Sequence, residues 1–235
     1  MVHDKSVQVM TQQWRDLLFA HWAYEPEAVQ RLLPNDVELD TFDGRAYVGL
    51  VPFNMRNLRL RYLPPIPTTS NFAEINVRTY VKSRGRSAVW FFSLDTPQLL
   101  PTVVARTAFK LPYCYAKASV NLVGSGEGAI LTSSVERRWP SKATSSLAVR
   151  IGAPVIAGPF EDFLTSRWGL VSSSRGGRLW YGPVEHEAWP LHSAEVLHLD
   201  DNLLLAAGLP APQGDPHLLF SPGVHTTIHS LQRLS

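Results

Sequence analysis

One cysteine, Cys114, is too few for an intramolecular disulfide or a zinc ribbon. No apolar run nears the roughly eighteen residues that a membrane-spanning helix needs. The start, Met1-Val2-His3-Asp4-Lys5, lacks the apolar stretch of an export signal. Charge of one sign is also missing: 22 basic residues meet 20 acidic ones, for a net +2. A nucleic-acid binder needs a concentrated basic stripe. The densest basic stretch, Met55 to Arg61, runs into the proline-rich Pro64-Pro65-Ile66-Pro67 and reads as a solvated strand end. There is no Gly-x-Gly-x-x-Gly after a strand, no P-loop and no Gly-x-Ser-x-Gly elbow. These absences leave a cytoplasmic protein with no cofactor, no nucleic-acid or membrane partner, and a small molecule as the expected ligand. A homo-oligomer is compatible with the composition and not required by it.

What is present is apolar and aromatic. The 45% apolar content suffices for a sizeable core, and seven Trp, seven Tyr and ten Phe favour a sheet-built interior. No repeat, low-complexity stretch or long linker divides residues 1–235, so one domain is expected, with residues 1–12 as a loose arm.

Local signals place the elements. Glu25-Pro26-Glu27 opens a helix that Pro34 stops, and it is expected to be the first element. Asp43-Gly44 is a turn before the strand Ala46–Phe53. Phe72 to Lys82 alternates: Ala73, Ile75, Val77, Thr79 and Val81 form one face, and Phe72, Glu74, Asn76, Arg78 and Tyr80 the other. The first face belongs in a core. The second either meets water or lines a polar cavity within a barrel. Ala88 to Asp95 is apolar on both faces, as in a central strand. Thr96-Pro97 reads as a helix start, with the helix running to about Phe109 before strand resumes at Tyr113. Further strands are expected over 130–139 and 145–151, with a helix over 160–168. Arg175-Gly176-Gly177-Arg178 marks a hairpin turn, and Asp200-Asp201 caps a short helix ended by Gly208. The sum is an α+β fold of mainly antiparallel sheet.

Histidine spacing suggests no metal. His186, His192 and His198 recur every six residues, but Trp189-Pro190 breaks any strand that would align them. His225 and His229 stand four apart in a segment that reads as strand or loop, where that spacing loses its meaning.

Several segments carry a family pattern: Trp14-Arg15-Asp16-Leu17-Leu18-Phe19-Ala20-His21-Trp22, Phe72-x-Glu74-x-Asn76-Val77-Arg78-Thr79-Tyr80-Val81, Trp90-Phe91-Phe92-Ser93-Leu94-Asp95 and Ala105-Arg106-x-x-x-x-Leu111-Pro112-Tyr113. Weaker agreement continues through Phe163 to Trp168 and Glu187 to Leu191. The chain thereby resembles the YqjF-like proteins, a family of no settled function within the acetoacetate-decarboxylase-like superfamily. The resemblance implies a β-barrel enclosing a pocket, with a few flanking helices. It also implies an active-site arginine at Arg15 and a pocket glutamate at Glu74. The superfamily's Gly-Arg-Glu and Pro-Lys-Lys segments fall on Ala105-Arg106-Thr107 and Pro112-Tyr113-Cys114. The lysine pair that forms and tunes the Schiff base is thus replaced by Tyr113-Cys114. An imine needs an amine, so the barrel is expected without that chemistry.

The resulting candidates each have a plainer alternative. Glu74 is an acid or base, or half of an ion pair with Arg78 or Arg106. With Arg106 beside it, Glu74 is expected to be ionised at neutral pH. Arg106 holds a substrate carboxylate, or a protein one such as Asp95. Tyr113 bonds a carbonyl oxygen or packs across the barrel mouth. Arg15, His21, Asn76, Arg78 and Lys117 complete the expected substrate-binding set, with His21 sharing Arg15's face on a regular strand. Cys114 is expected to be a small buried apolar residue. The function expected is a cofactor-independent enzyme, lyase-like or isomerase-like, acting on a small oxygenated or carbonyl-bearing metabolite. The alternative is a non-catalytic protein that binds or sequesters a small molecule in the same pocket.

Overall fold

The computed structural model of the protein describes residues 6–62, 70–98, 110–174 and 176–234. The first element is a strand, β1 (Gln8–Tyr24), and not the expected helix. Met10 and Thr11 pair with Ile228 and Thr227, so residues 8–12, expected in a loose arm, are built into the sheet. Polar Gln8, Thr11, Gln12 and Gln13 hid this by interrupting the apolar pattern before Trp14. Helix α1 (Pro26–Gln30) follows, with Pro26 at its first turn as the sequence indicates.

Strands β2 (Glu38–Leu39), β3 (Ala46–Leu60), β4 (Phe72–Ser83) and β5 (Arg86–Thr96) come next. Thr96, read as a helix cap, instead ends β5. The remainder of that expected helix, including Arg106, lies almost entirely outside the described residues. Strands β6 (Tyr113–Val123), β7 (Ile130–Trp139) and β8 (Ala143–Val155) then lead to α2 (Pro159–Thr165). After β9 (Gly169–Ser173), β10 (Leu179–His186) and β11 (Leu191–Asp201) comes α3 (Leu203–Ala206). The Asp201 carboxylate accepts from the Leu204 N–H at 3.2 Å, the cap that the sequence suggests. Strands β12 (His217–His229) and β13 (Gln232–Arg233) end the chain.

Pairing is antiparallel except where β5 meets β6 and β9. Followed through its hydrogen bonds, the sheet closes in the order β5-β6-β7-β8-β11-β12-β1-β3-β4 and back to β5, a barrel of nine strands. A second circuit leaves β5 through β9 and β10 and returns through β12. The two circuits share β12, β1, β3, β4 and β5 as a common wall.

A wall between two interiors has no solvent face, and the burial of β4 records this: every residue from Phe72 to Val81 is buried. Ala73, Ile75 and Val77 join the core of the nine-stranded barrel with Leu131, Leu147 and Val149. Their alternates turn to the other interior. In β1 a bulge at Asp16 (φ 50°) inserts one residue relative to β3 and reverses the side-chain parity. Trp14, Leu17 and Phe19 consequently share one cluster, while Leu18, Ala20 and Trp22 belong to the barrel core. Opposite the bulge, Gly223 has φ 124°, and a Cβ there would lie 1.9 Å from the Trp14 carbonyl oxygen. Only glycine fits that position.

Candidate functional site

Glu74, Asn76 and Arg78 are 3%, 3% and 8% exposed, on the β4 face that looks away from the barrel core. Of the two readings that alternation left open for this face, solvent exposure is removed. Tyr113, the first residue of β6, comes to this face because β5 and β6 run parallel there, with Leu94 opposite Tyr113. Its hydroxyl donates to Glu74 Oε2 at 3.0 Å, and Asn76 supplies a second hydrogen bond to the same carboxyl. Burial outweighs both bonds and lifts the Glu74 pKa from 4.5 to about 7, with the negative charge of Asp95 adding to the rise. Glu74 therefore stands near the midpoint of its titration at neutral pH, while Arg106, on which the expectation of an ionised carboxylate rested, lies outside the described residues. Burial and the Glu74 charge together push the Tyr113 phenol well above its ordinary range, so it stays a proton donor.

The expected pairs with Arg106 lie outside the described residues, among which Glu74 forms no ion pair. Glu74 and Arg78 share a face without bonding. Asp95 is taken by Arg137, whose Nε and Nη2 reach its two oxygens at 2.6 Å each, while Nη2 also donates to Ser93. This fully buried pair joins β5 to β7 across β6.

On β1, His21 packs beside Phe19, 6.2 Å between ring centres. Its Nε2 lies 2.5 Å from the Tyr80 hydroxyl, which itself donates to the Leu164 carbonyl at 2.6 Å. Tyr80 has one proton to give, so Nε2 carries the hydrogen and Nδ1 is the bare acceptor. Nδ1 is buried with no partner among the described residues. Burial first, then the charges of Arg78 and His217, hold His21 well below its ordinary pKa, so it is neutral at pH 7. Space for the ring comes from Gly49 on β3, where an added Cβ would sit 2.6 Å from Nε2.

Aromatic rings complete this side. Trp14 stacks on Trp189 at 6.0 Å, Phe19 meets Trp189 edge-on at 5.1 Å, and Trp14 leans on Phe53 at 5.7 Å. His186 lies 5.0 Å from Trp189 and is pushed down by burial, with Arg78 contributing.

Other expected members stand apart. The Asp16 bulge separates Arg15 from His21. Arg15 is partly exposed and reaches His225 on β12 at 3.4 Å. Lys117 is exposed on β6, opposite Glu136. Lys110 lies 4.3 Å over the Trp180 ring, and Lys82 pairs with Asp40 at 3.0 Å. Arg106 lies outside the described residues. Cys114 is buried, its thiol 3.6 Å from the Pro112 carbonyl oxygen. Among the described residues no three His, Cys, Asp or Glu side chains gather as a metal site. No helix among them is long and apolar enough to cross a membrane.

Sequence reasoning missed Arg137 and the Tyr80 relay. For Arg137 a signal existed: Leu131, Ser133, Val135 and Arg137 alternate inward along β7. The charged run Glu136-Arg137-Arg138 masked it as surface.

The closed, mainly antiparallel sheet with its buried Glu74 defines an acetoacetate-decarboxylase-like fold. MppR, an enduracididine biosynthesis enzyme solved with pyruvate, superposes with a TM-score of 0.70 over 100% of this chain and 93% of its own, at 14% identity. An acetoacetate decarboxylase from Legionella pneumophila does so with a TM-score of 0.65 over 99% and 90%, at 13% identity. Identities this low speak for the fold alone. Sequence is more specific: residues 11–225 match the DUF2071 family of uncharacterized conserved proteins, and the chain belongs to that family. It is 36% identical over 218 residues to the uncharacterized protein YqjF of Bacillus subtilis (strain 168), covering 92% of this chain and 88% of that protein.

Proposed function

We propose that the protein is a cofactor-independent acid–base enzyme that moves a proton at carbon beside the carbonyl of a small metabolite, without an imine. The observation that carries this reading is the buried Glu74–Tyr113 pair. A carboxyl with a pKa of about 7 is a base strong enough to take a proton and weak enough to return it near neutrality. As Glu74 takes the proton, the C–H electron pair moves onto the carbonyl oxygen, giving an enolate. Tyr113 no longer faces a carboxylate and turns its O–H to that oxygen. Returning the proton to carbon completes an isomerisation or an exchange. An imine would do the electron-withdrawing work in a decarboxylase, but none of the four described lysines lies beside Glu74. The same site without turnover would be a sequestering protein, and the replacement of the lysine pair by Tyr113-Cys114 is what favours that second reading.

The test is solvent deuterium incorporation into a panel of carbonyl acids of increasing length, from pyruvate through 5-oxohexanoate to 3-(4-acetylphenyl)propanoate, followed by proton NMR. Exchange is expected to be enzyme-dependent, to rise with pH through about 7, and to fall at least a hundredfold in Glu74→Gln. Borohydride added to the same mixtures should leave the protein mass unchanged. Exchange in no member of the panel supports the sequestering protein. A covalent adduct on a lysine returns the protein to imine chemistry.

A further inference from the structure

Among the described residues Arg78 is a buried cation without a counter-charge. It enters none of the ion pairs of the described residues, and its Nε is buried without a hydrogen-bond partner. The segments outside the described residues contain a single acidic side chain, Asp4. The Arg78 guanidinium carbon lies 5.2 Å from the Phe19 ring centre and 5.8 Å from that of Tyr80, whose ring also carries Arg167, itself paired with Asp40. Burying a charge unpaired is costly, and such groups ordinarily find a counter-charge. Two further polar atoms on this side, His21 Nδ1 and Asn76 Oδ1, are also buried without partners.

We infer that Arg78 seats the carboxylate of the ligand, and that this carboxylate stands well away from the reacting carbon. The reading rests on the acid–base site proposed above and adds to it the substrate's charge, shape and length. Charge sets the first limit. Arg78 brings one positive charge, and the two nearby histidines, His21 and His186, are held toward their neutral forms. One cation matches a singly charged carboxylate, whereas a phosphate dianion would stay half neutralised. The planar guanidinium against ring faces also suits a planar, bidentate anion. Length sets the second limit. Arg78 lies four residues along β4 from Glu74, about 13 Å at roughly 3.3 Å per residue. Arg78 acts on His21 and His186, whereas the groups that perturb Glu74 are Tyr113, Asn76 and Asp95. A ligand whose carboxylate and carbonyl stand several bonds apart spans that interval better than a 2- or 3-oxo acid, in which the two are nearly adjacent. Trp14, Phe19, Phe53 and Trp189 line this interior, so the spacer is apolar, with an aromatic ring the best match.

The test measures binding by calorimetry and tryptophan fluorescence, on wild type and on Glu74→Gln so that turnover plays no part. Probes are pyruvate, 5-oxohexanoate, 3-(4-acetylphenyl)propanoate, the neutral amide of the last, and inorganic phosphate. Affinity is expected to rise at least tenfold from pyruvate to the aryl acid, and to fall at least thirtyfold on amidation. Arg78→Met should abolish the difference between acid and amide, and Arg78→Lys should keep part of it. Because an unpaired charge is removed, Arg78→Met should melt a few degrees higher than wild type. Should it fail to fold, the same comparison is made with Arg78→Gln. Equal binding of acid and amide, tightest binding of pyruvate or phosphate, or an unchanged Arg78 variant would overturn the inference. Arg78-dependent binding without deuterium exchange retains this seat and removes the acid–base reading, and exchange without such binding does the reverse.

Discussion

Glu74 sits at the point where function and stability oppose each other. With its pKa raised from 4.5 to about 7, the folded protein holds a proton that the unfolded chain releases between those values. Stability therefore contains a contribution that is full below about pH 4.5 and lost as pH rises through 7, about 3 kcal/mol in all. Glu74→Gln keeps the shape and removes the titration. It is expected to match wild type near pH 4.5 and to melt several degrees higher at pH 8, as read by thermal unfolding at the two pH values. Equal melting temperatures at pH 8 would mean that Glu74 is solvated or has a cation beside it. Arg78, buried with no described counter-charge, likewise costs stability.

At the scale of elements, β5 is held to β7 across β6 by charge. Asp95 closes β5, lies opposite Cys114 in the parallel pairing, and is clamped by Arg137 from β7. The clamp lies next to Tyr113 in the sheet, so it fixes where the phenol meets Glu74, and the Asp95 charge contributes to the Glu74 rise. Removing one partner of a buried pair leaves the other uncompensated, at about 3–5 kcal/mol. Arg137→Met should lose that much in urea denaturation, whereas the double change Arg137→Met with Asp95→Leu should recover most of it. Equal losses in the single and double variants would mean that packing, and not charge, is at stake. Alternation along β7 makes the inward position of Arg137 legible. Its partner was not, because Asp95 is 42 residues away and two strands over.

At the scale of the molecule, two closed circuits share five strands. Neither can open without exposing a face of β1, β3, β4 or β5 that the other interior covers. We expect a single calorimetric transition with equal calorimetric and van't Hoff enthalpies, as one cooperative domain requires. Two resolved transitions would show that the β9–β10 circuit melts by itself. The shared wall also explains why Leu17 to Ala20 of β1 is apolar on both faces, and why the polar alternates of β4, Glu74, Asn76 and Arg78, are buried and not in solvent.

The sequence by itself determined the local grammar. Turns at Asp43-Gly44 and Gly176-Gly177, the proline at the start of α1, and the alternating faces of β4 all follow from backbone sterics and side-chain periodicity within a few residues. Glu74, Asn76 and Arg78 on one face were legible for that reason. So was the loss of the amine at Tyr113-Cys114. Tertiary structure alone decided what each of those groups meets. The Asp16 bulge turned Arg15 away from His21, and closure of the sheet brought Tyr113 to Glu74 across 39 residues. It also left Arg78 with no described carboxylate as partner. Periodicity is a property of neighbours in the chain. The partner of a buried charge is a property of the closed sheet, set by pairings whose register no single strand contains.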